Sequence, residues 1–431
     1  MRGFLLFLLT GFASAQDFYW GAASARSLAQ GGAYSPRSGS VLDAMAVNPA
    51  GLAWLNARTL DFALTGVFPR GSFSNSVNVD APLATSPKAV PVAAFGTPLG
   101  KTRFRFGASV LPELASDADW TYRDAPGTAG ATYGVQRHRA AIVVYRTAAG
   151  LGFAISEKLS AGATFGVVYN SNRLQAPYIF QSHPALRGLK TLLDLRTNGT
   201  GWNASFGAVF QPNRKLSFGG AWKSRTVIES TGEAAGTLNA QFAAIGLNAP
   251  PDYTYRAAVR NVLPQSVNAH VSWQAGVRWL ISLQGDWVNW KRAFRALPVA
   301  LSEGSNPAVN GLLGTDTLND SVPLDWKDRY GLRAGFERSL TEQVSIRGGF
   351  ARANQPVPRA TALPITAAIW SNQFTTGGGY RIGAWTLDLA YVYHLTGKVD
   401  TRQSAIAAGE YHNSRIRAGT QSLTLSGSVR F

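Results

Sequence analysis

The C-terminal stretch QSLTLSGSVRF alternates without a break. Leu423, Leu425, Gly427, Val429 and Phe431 fall on one face, and Ser422, Thr424, Ser426, Ser428 and Arg430 on the other. A period of two sustained over this length describes a β-strand with one apolar and one polar side. The pattern recurs upstream. Phe104, Phe106, Ala108 and Val110 oppose Arg103, Arg105, Gly107 and Ser109, and Trp385, Leu387, Leu389, Tyr391 and Tyr393 oppose Thr386, Asp388, Ala390 and His394. No run beyond the first residues approaches the length of an apolar membrane-crossing helix.

A soluble sandwich and a membrane barrel both use such strands, and a mean hydropathy of −0.04 with 45 glycines suits either. The N-terminus separates them. Arg2, the apolar run Phe4–Phe12 and Ala13-Ser14-Ala15 read as an export signal, so residues 1–15 are expected to be removed and the mature chain to begin at Gln16 or Asp17. Export, alternation and a final Phe431, which is similar to the last strand of bacterial outer-membrane barrels, favour a transmembrane barrel in the outer membrane. Candidate strands lie near 58–70, 88–97, 103–112, 138–148, 158–170, 200–211, 215–226, 265–274, 278–291, 326–338, 342–352, 371–381, 384–395 and 420–431. That is an all-β, 14-stranded antiparallel barrel with both ends on one side of the membrane. Short turns alternate with long connections at 113–137, 171–199, 227–264, 292–325, 353–370 and 396–419.

Before the first strand stands DAMAVNPAGLA, Asp43 to Ala53. It is helix-like until Asn48-Pro49, where proline removes a donor and asparagine favours a turn. Asp43 is a candidate cap or an ion partner of Arg26. Two of the long connections are apolar. HPALRGLKTLLDL places Leu186, Leu189 and Leu193, and separately Leu192 and Leu195, at helical spacing, and LNAQFAAIGLNAPP is its counterpart. They either pack on each other over the barrel mouth or form a surface groove for apolar molecules. The formal net charge is +17. Arg103, Arg105, Lys223, Arg333 and Arg347 fall on polar strand faces that point into the lumen, where they would attract carboxylates or simply be solvated. Basic residues of the outer loops would meet lipopolysaccharide phosphates. Arg173 closes the fifth strand and is a candidate carboxylate contact. Cysteine is absent, and His138, His183, His270, His394 and His412 are scattered, so no metal site, cofactor site or nucleophile–base pair can be named and no enzyme is expected. Nucleic acid is not a partner for an exported barrel.

ARSLAQGGAY followed by DAMAVNPAGLA, then GWNASFGAVFQPNRKLSFGGAWKSR, LPQSVNAHVSWQ, GDWVNWKRAF, DWKDRYGLRAGFE, IRGGFARANQPVPRATALP and LDLAYVYHLTG, in this order along the chain, resemble the FadL-type (OMPP1/FadL/TodX) outer-membrane transporters of long-chain fatty acids and other hydrophobic compounds. The resemblance implies fourteen strands over 58–431, a small helical hatch inside the lumen over 16–57, and a hatch motif of Asp43, Asn48, Pro49, Ala50 and Gly51. It also implies a capture groove including Leu186, Leu189, Leu192 and Leu193, and an inward kink of the third strand that opens the wall, matched here to Ala118, Asp119 and Trp120. The expected activity is passive transport: capture at the loops, a lumenal pocket, hatch movement and lateral exit by a monomer. A diffusion porin for small polar anions, and less readily an outer-membrane lipase, are the alternatives.

Overall fold

The structure, a computed structural model, describes residues 22–85, 87–366, 368–369 and 371–431. The export signal read over residues 1–15, and the mature start at Gln16 or Asp17, lie outside the described residues.

All ladders belong to one antiparallel sheet, and its segments join end to end into fourteen crossing strands. In chain order they are β1 (Thr59–Asn75), β2 (Asn78–Pro82 continued by Lys88–Pro98), β3 (Phe104–Arg123), β4 (Val135–Ala154), β5 (Leu159–Ile179), β6 (Lys190–Phe210) and β7 (Leu216–Lys223 with Thr226–Thr237). There follow β8 (Asp252–Leu263 with Ser266–Ala275), β9 (Trp279–Val288 with Ala296–Ser302), β10 (Leu318–Pro323 with Arg329–Ser339), β11 (Val344–Ala353), β12 (Asn372–Ile382), β13 (Trp385–His394 with Gly397–Thr401) and β14 (Ser414–Arg430). Each strand pairs with its sequence neighbours. β14 pairs with β1 from Thr59↔Arg430 to Ser74↔Arg415, which closes the sheet and leaves no polar edge to lipid.

The fourteen intervals expected from alternation each fall within or along one of these strands, but the strands run much further outward. β5 and β6 have 21 residues each. At about 3.3 Å per residue such a strand spans roughly 70 Å, while the hydrocarbon layer is only about 30 Å thick. The outer halves of β3 to β10 therefore stand above the membrane as a paired collar, where much of the chain expected to be loop is ladder. The band that meets lipid is marked by exposed Phe62, Leu64 and Phe68 on β1, Trp202, Phe206 and Phe210 on β6, and Leu387, Leu389 and Tyr391 on β13.

One expectation is overturned here. The stretch Lys190 to Leu195 is the start of β6 and not a helix. Leu193 and Leu195 are buried, while Asp194 and Arg196 point the other way, so the leucines follow a period of two. The second apolar stretch does contain a helix, Asn239–Ile245.

The N-terminal segment fills the lumen. It consists of α1 (Ala25–Leu28), a 3₁₀ turn (Pro36–Ser38), α2 (Val41–Ala46) and a 3₁₀ helix (Pro49–Trp54). Val41, Leu42, Met45, Leu52 and Leu55 pack against wall residues Ala63, Val92, Ala94, Leu111 and Ala148. Three further helices, α3 (Asn239–Ile245), α4 (Trp290–Ala293) and α5 (Pro307–Leu313), belong to the collar.

Candidate transport route

The hatch is organised by Asp43. This fully buried carboxylate accepts from the backbone N–H of Ala23 at 3.1 Å and Ser24 at 3.0 Å, from Ser27 Oγ at 2.6 Å, and from Ser24 Oγ. It thus ties the N-terminus of α1 to α2, and such a buried charge persists only because its lone pairs are taken up. Arg26 does not pair with Asp43. Its guanidinium makes a two-pronged bond to Glu337 of β10, with both contacts at 2.7 Å, and donates to Ser38 O at 3.1 Å. Glu337 in turn accepts from Arg347, which also reaches Asp388.

Asn48 and Pro49 break the chain as their residue types require. Asn48 Oδ1 caps the 3₁₀ helix by accepting from Ala50 N at 3.0 Å. Its Nδ2 donates to Ala208 O and Gly220 O, both at 3.1 Å, and lies 3.0 Å from His270 Nε2. Ala50 O accepts from Ser160 Oγ at 3.1 Å. The wall meets this helix with glycines. A Cβ on Gly162 would lie 2.4 Å from the carbonyl of Pro49, one on Gly207 2.1 Å from Asn48 Oδ1, and one on Gly152 2.5 Å from Ala53 N. Gly51 is required on the hatch side, because Tyr34 Oη occupies the place of its Cβ, at 1.9 Å. Asn48, Pro49 and Ala50 thus lie against β5 to β8, while Asp43 bonds only within the hatch.

Above the membrane an apolar groove of about 940 Å³ opens between the collar strands and helices α3 and α5. Leu186, Leu189 and Leu193 line it, with Phe242 and Ile245 of α3, Leu312 and Leu313 of α5, and Tyr253, Tyr255 and Val299 of β8 and β9. Leu192 does not line it. It is paired with Pro177 and Thr237 and projects from the other face of β6. The contributions of β8, β9 and α5 escaped sequence reading, although Asn306-Pro307 ahead of AVNGLL is a helix-start signal and Asn306 Oδ1 does cap α5 at 3.0 and 3.1 Å.

Deeper lies a second apolar cavity. Leu174, Tyr178, Leu195 and Val299 line both spaces, so the groove and the cavity adjoin at this neck. Ile142, Phe294, Leu324, Leu363, Ile365 and Ile406 continue its wall. Leu363 and Ile365 belong to the connection from β11 to β12, which crosses the lumen. Pro364 O there accepts from Trp120 Nε1 at 3.1 Å. Arg173 borders this space, but its side chain lies on the outward face of β5, opposite Arg196. Its Nη2 is 3.5 Å from Asp194, and its buried Nε has no hydrogen-bond partner among the described residues.

β3 departs from a regular strand. Its pairing with β4 slips between Pro112 and Leu114. Residues Leu111 to Ala118 are buried on both faces, although every lipid-facing strand alternates. Ladder pairing with β2 is confined to residues 105–110; beyond it, among the described residues, stand the bridge Leu83↔Trp120, Ala84 N to Asp119 O at 2.8 Å, the ion pair of Lys88 with Asp117 at 3.4 Å, and two bonds between Asn78 and the backbone of Arg123. The irregularity therefore starts at Pro112, upstream of Ala118, Asp119 and Trp120, because a proline cannot donate to the ladder. Ala118 and Trp120 face inward, while Asp119 pairs with Arg137. The extra residue Glu113 points inward to Lys223 at 3.1 Å and Arg146 at 3.5 Å. Of the other basic residues expected in the lumen, Arg333 pairs with Asp286 and Arg347 with Glu337. Arg105 donates to Leu55 O at 2.7 Å, and Arg103 sits in the turn before β3 and donates to Ile155 O.

A closed barrel with an apolar path through its collar and a bonded hatch across its lumen defines an outer-membrane channel protein. The chain belongs to the outer membrane protein transport protein family (OMPP1/FadL/TodX), whose model matches residues 6–431. Among solved structures it is similar in fold to a Pseudomonas aeruginosa FadL homologue, at 17% identity over 98% of this chain and 100% of that chain with a TM-score of 0.73. It is also similar to the P. putida toluene transporter TodX, at 17% over 95% and 99% with a TM-score of 0.75. A third is the Ralstonia pickettii toluene transporter TbuX, at 19% over 95% and 98% with a TM-score of 0.71. No curated protein sequence matches the chain.

Proposed function

We propose that this protein carries hydrophobic molecules across the outer membrane, entering at the collar groove, passing the neck into the inner cavity, and leaving sideways where β2 and β3 part, after a shift of the hatch. The observation that carries this reading is the pair of adjoining apolar spaces, groove and cavity, with Leu174, Tyr178, Leu195 and Val299 common to both. The TodX and TbuX structures, described as toluene transporters, and the FadL homologue support the cargo class. Transfer of each CH₂ from water into such a path is worth about 0.8 kcal/mol, so an acyl chain of a dozen carbons outweighs one screened ion pair of about 0–1 kcal/mol.

Arg173 favours a long-chain fatty acid over a plain hydrocarbon. Its guanidinium is a third exposed on the outward face of the collar, beside Asp194 and opposite Arg196, where it would meet a carboxylate before the acyl chain enters the groove. The test is uptake by cells lacking their own fatty-acid channel. Arg173→Leu should slow oleate several-fold and leave toluene unchanged. Equal loss of both would assign Arg173 a packing role, and unchanged oleate uptake would remove it from the route. A diffusion porin for small anions fits the basic lumen, but most of those cations are paired and the hatch blocks a wide aqueous path; large steady conductance in bilayers would restore that reading.

A further inference from the structure

On the outer surface of the barrel, Lys291, Arg292, Arg295 and Lys327 surround a shallow concavity beside Trp287 and Tyr330. The sequence places these cations around the points where β9 and β10 are interrupted. α4 turns Trp290 inward, and Phe294 follows it. They pack with Trp326 at ring distances of 4.9 to 5.1 Å. With those rings inside, Lys291, Arg292 and Arg295 are left exposed on the outside, and Lys327 joins them from the β10 break.

The depth is fixed by the ladder. Trp287 and Tyr330 are direct register partners on the outward face, and exposed Leu283, Leu332 and Phe336 lie below them toward the periplasmic turns. Trp and Tyr at the upper edge of a lipid-facing band mark the headgroup boundary. The four cations begin one step beyond that edge, at the level of the outer-leaflet phosphates.

Their clustering without partners sets them apart. Five exposed cations of the collar are paired, Arg196 with Asp194, Arg256 with Glu303, Arg260 with Glu229, and Arg415 and Lys398 with Asp400, whereas these four converge on one concavity. The side chains of Lys291, Arg292, Arg295 and Lys327 have no ion pair or hydrogen bond among the described residues. Two carboxylates share the concavity, Asp325 and Asp328. Asp328 is taken up by Trp287 Nε1 at 3.1 Å, Asn289 Nδ2 at 3.0 Å and Lys291 N at 3.0 Å. It fixes the aromatic rim rather than neutralising the cations, and the patch keeps an excess of positive charge.

We propose that this concavity binds the phosphate-bearing head group of an outer-leaflet lipid. Two arginines supply forked donors that match phosphate oxygens, two lysines add point charges, and the rings of Trp287 and Tyr330 receive the start of the acyl chains. A free phosphate would use the cations alone; the aromatic rim is what selects a lipid. Bound there, the lipid spans the break in the β9–β10 ladder and braces the wall behind the inner cavity. This site is independent of which cargo the channel carries.

The test titrates the purified full-length protein in detergent micelles with lipopolysaccharide, with the same lipopolysaccharide stripped of its lipid phosphates, and with inorganic phosphate as competitor. The variant Lys291→Gln/Arg292→Gln/Arg295→Gln/Lys327→Gln is compared with Lys101→Gln/Lys158→Gln/Arg214→Gln/Lys215→Gln, which removes equal charge from the opposite, periplasmic end. The first variant should bind phosphorylated lipopolysaccharide about tenfold or more weakly, and the second should bind as the parent does. Loss of the lipid phosphates should weaken the parent to the same level. Undiminished binding by the first variant, or equal binding of the stripped lipid, overturns the site. Displacement by inorganic phosphate at matched concentration overturns the lipid as its ligand. Heat-dependent gel migration reports whether each barrel is folded, and Arg292→Gln/Arg295→Gln replaces the fourfold variant if it is not.

Discussion

Replacing Gly162 by alanine tests how the hatch is held. The added methyl carbon would stand 2.4 Å from both C and O of Pro49 and 2.6 Å from Ala50 N. These are backbone atoms and cannot swing aside as a side chain would. The Pro49–Trp54 helix must recede by about an ångström to reach ordinary contact, and Asn48 would be pulled from Ala208 O, Gly220 O and His270. Overpacking of this kind costs about 1–3 kcal/mol, and each strained hydrogen bond adds about 0.5–1.5 kcal/mol. A loss of about 2 kcal/mol in hatch seating raises the unseated fraction about thirtyfold. Hydrogen exchange at residues 50–54 should accelerate by that order, and brief openings should appear in planar-bilayer recordings. Gly66→Ala is the control, since its methyl would meet nothing nearer than the Phe68 ring at 3.6 Å. If Gly162→Ala exchanges and conducts like Gly66→Ala, the hatch is not seated on wall glycines in the way argued.

Other perturbations follow from the same contacts. Asp43→Ala strands two hydroxyls and two N–H groups at α1, each costing about 1–3 kcal/mol when buried without a partner; limited proteolysis should cut the hatch while the barrel resists, and an uncut hatch would contradict the network. Above the membrane, Glu410 of the β13–β14 connection is buried against Lys190 and Asp124, with Lys190 Nζ at 2.9 and 2.6 Å from them. Burial, the largest influence, pushes the Glu410 carboxyl up to about 7, against the opposing pull of Lys190 and with a smaller push from Asp124. An acid with a raised folded pKa holds its proton better when folded, so this clamp should gain stability as pH falls through about 7, with the gain complete below the ordinary carboxylate value. Protection of residues 402–413 relative to the intrinsic exchange rate should rise from pH 8 to pH 5, and Glu410→Gln should flatten that trend; an opposite slope would refute the assignment.

The sequence revealed the barrel where lipid enforces it. Within the apolar band each strand has one dry and one wet face, so Leu423 to Phe431 or Trp385 to Tyr393 could be read directly. In the collar both faces meet protein or water, and TLLDL was mistaken for a helix because five residues cannot separate the two periods once turn signals flank them. The hatch motif was legible from Asn48-Pro49, but its partners were not. Arg26 and Glu337 are 311 positions apart, and the glycines that receive the hatch look like any others in a strand. The departure of β3 had a visible signal in Pro112, inside an otherwise alternating run. Arg173 reads from sequence as the end of a short strand, yet it lies well inside a long one, and its outward position beside Asp194 follows from the collar.

The most direct test of the apolar route is to close its neck. Val299 lines both the groove and the inner cavity, and Val299→Trp fills the passage without adding charge. Uptake of labelled oleate, toluene and a small polar anion would be measured in cells lacking their own fatty-acid channel. The parent protein should carry a hydrophobic compound and not the anion, and the variant should lose that uptake while its barrel remains folded and inserted. Unchanged hydrophobic uptake in the variant, or uptake of the anion alone by the parent, would contradict transport through this path.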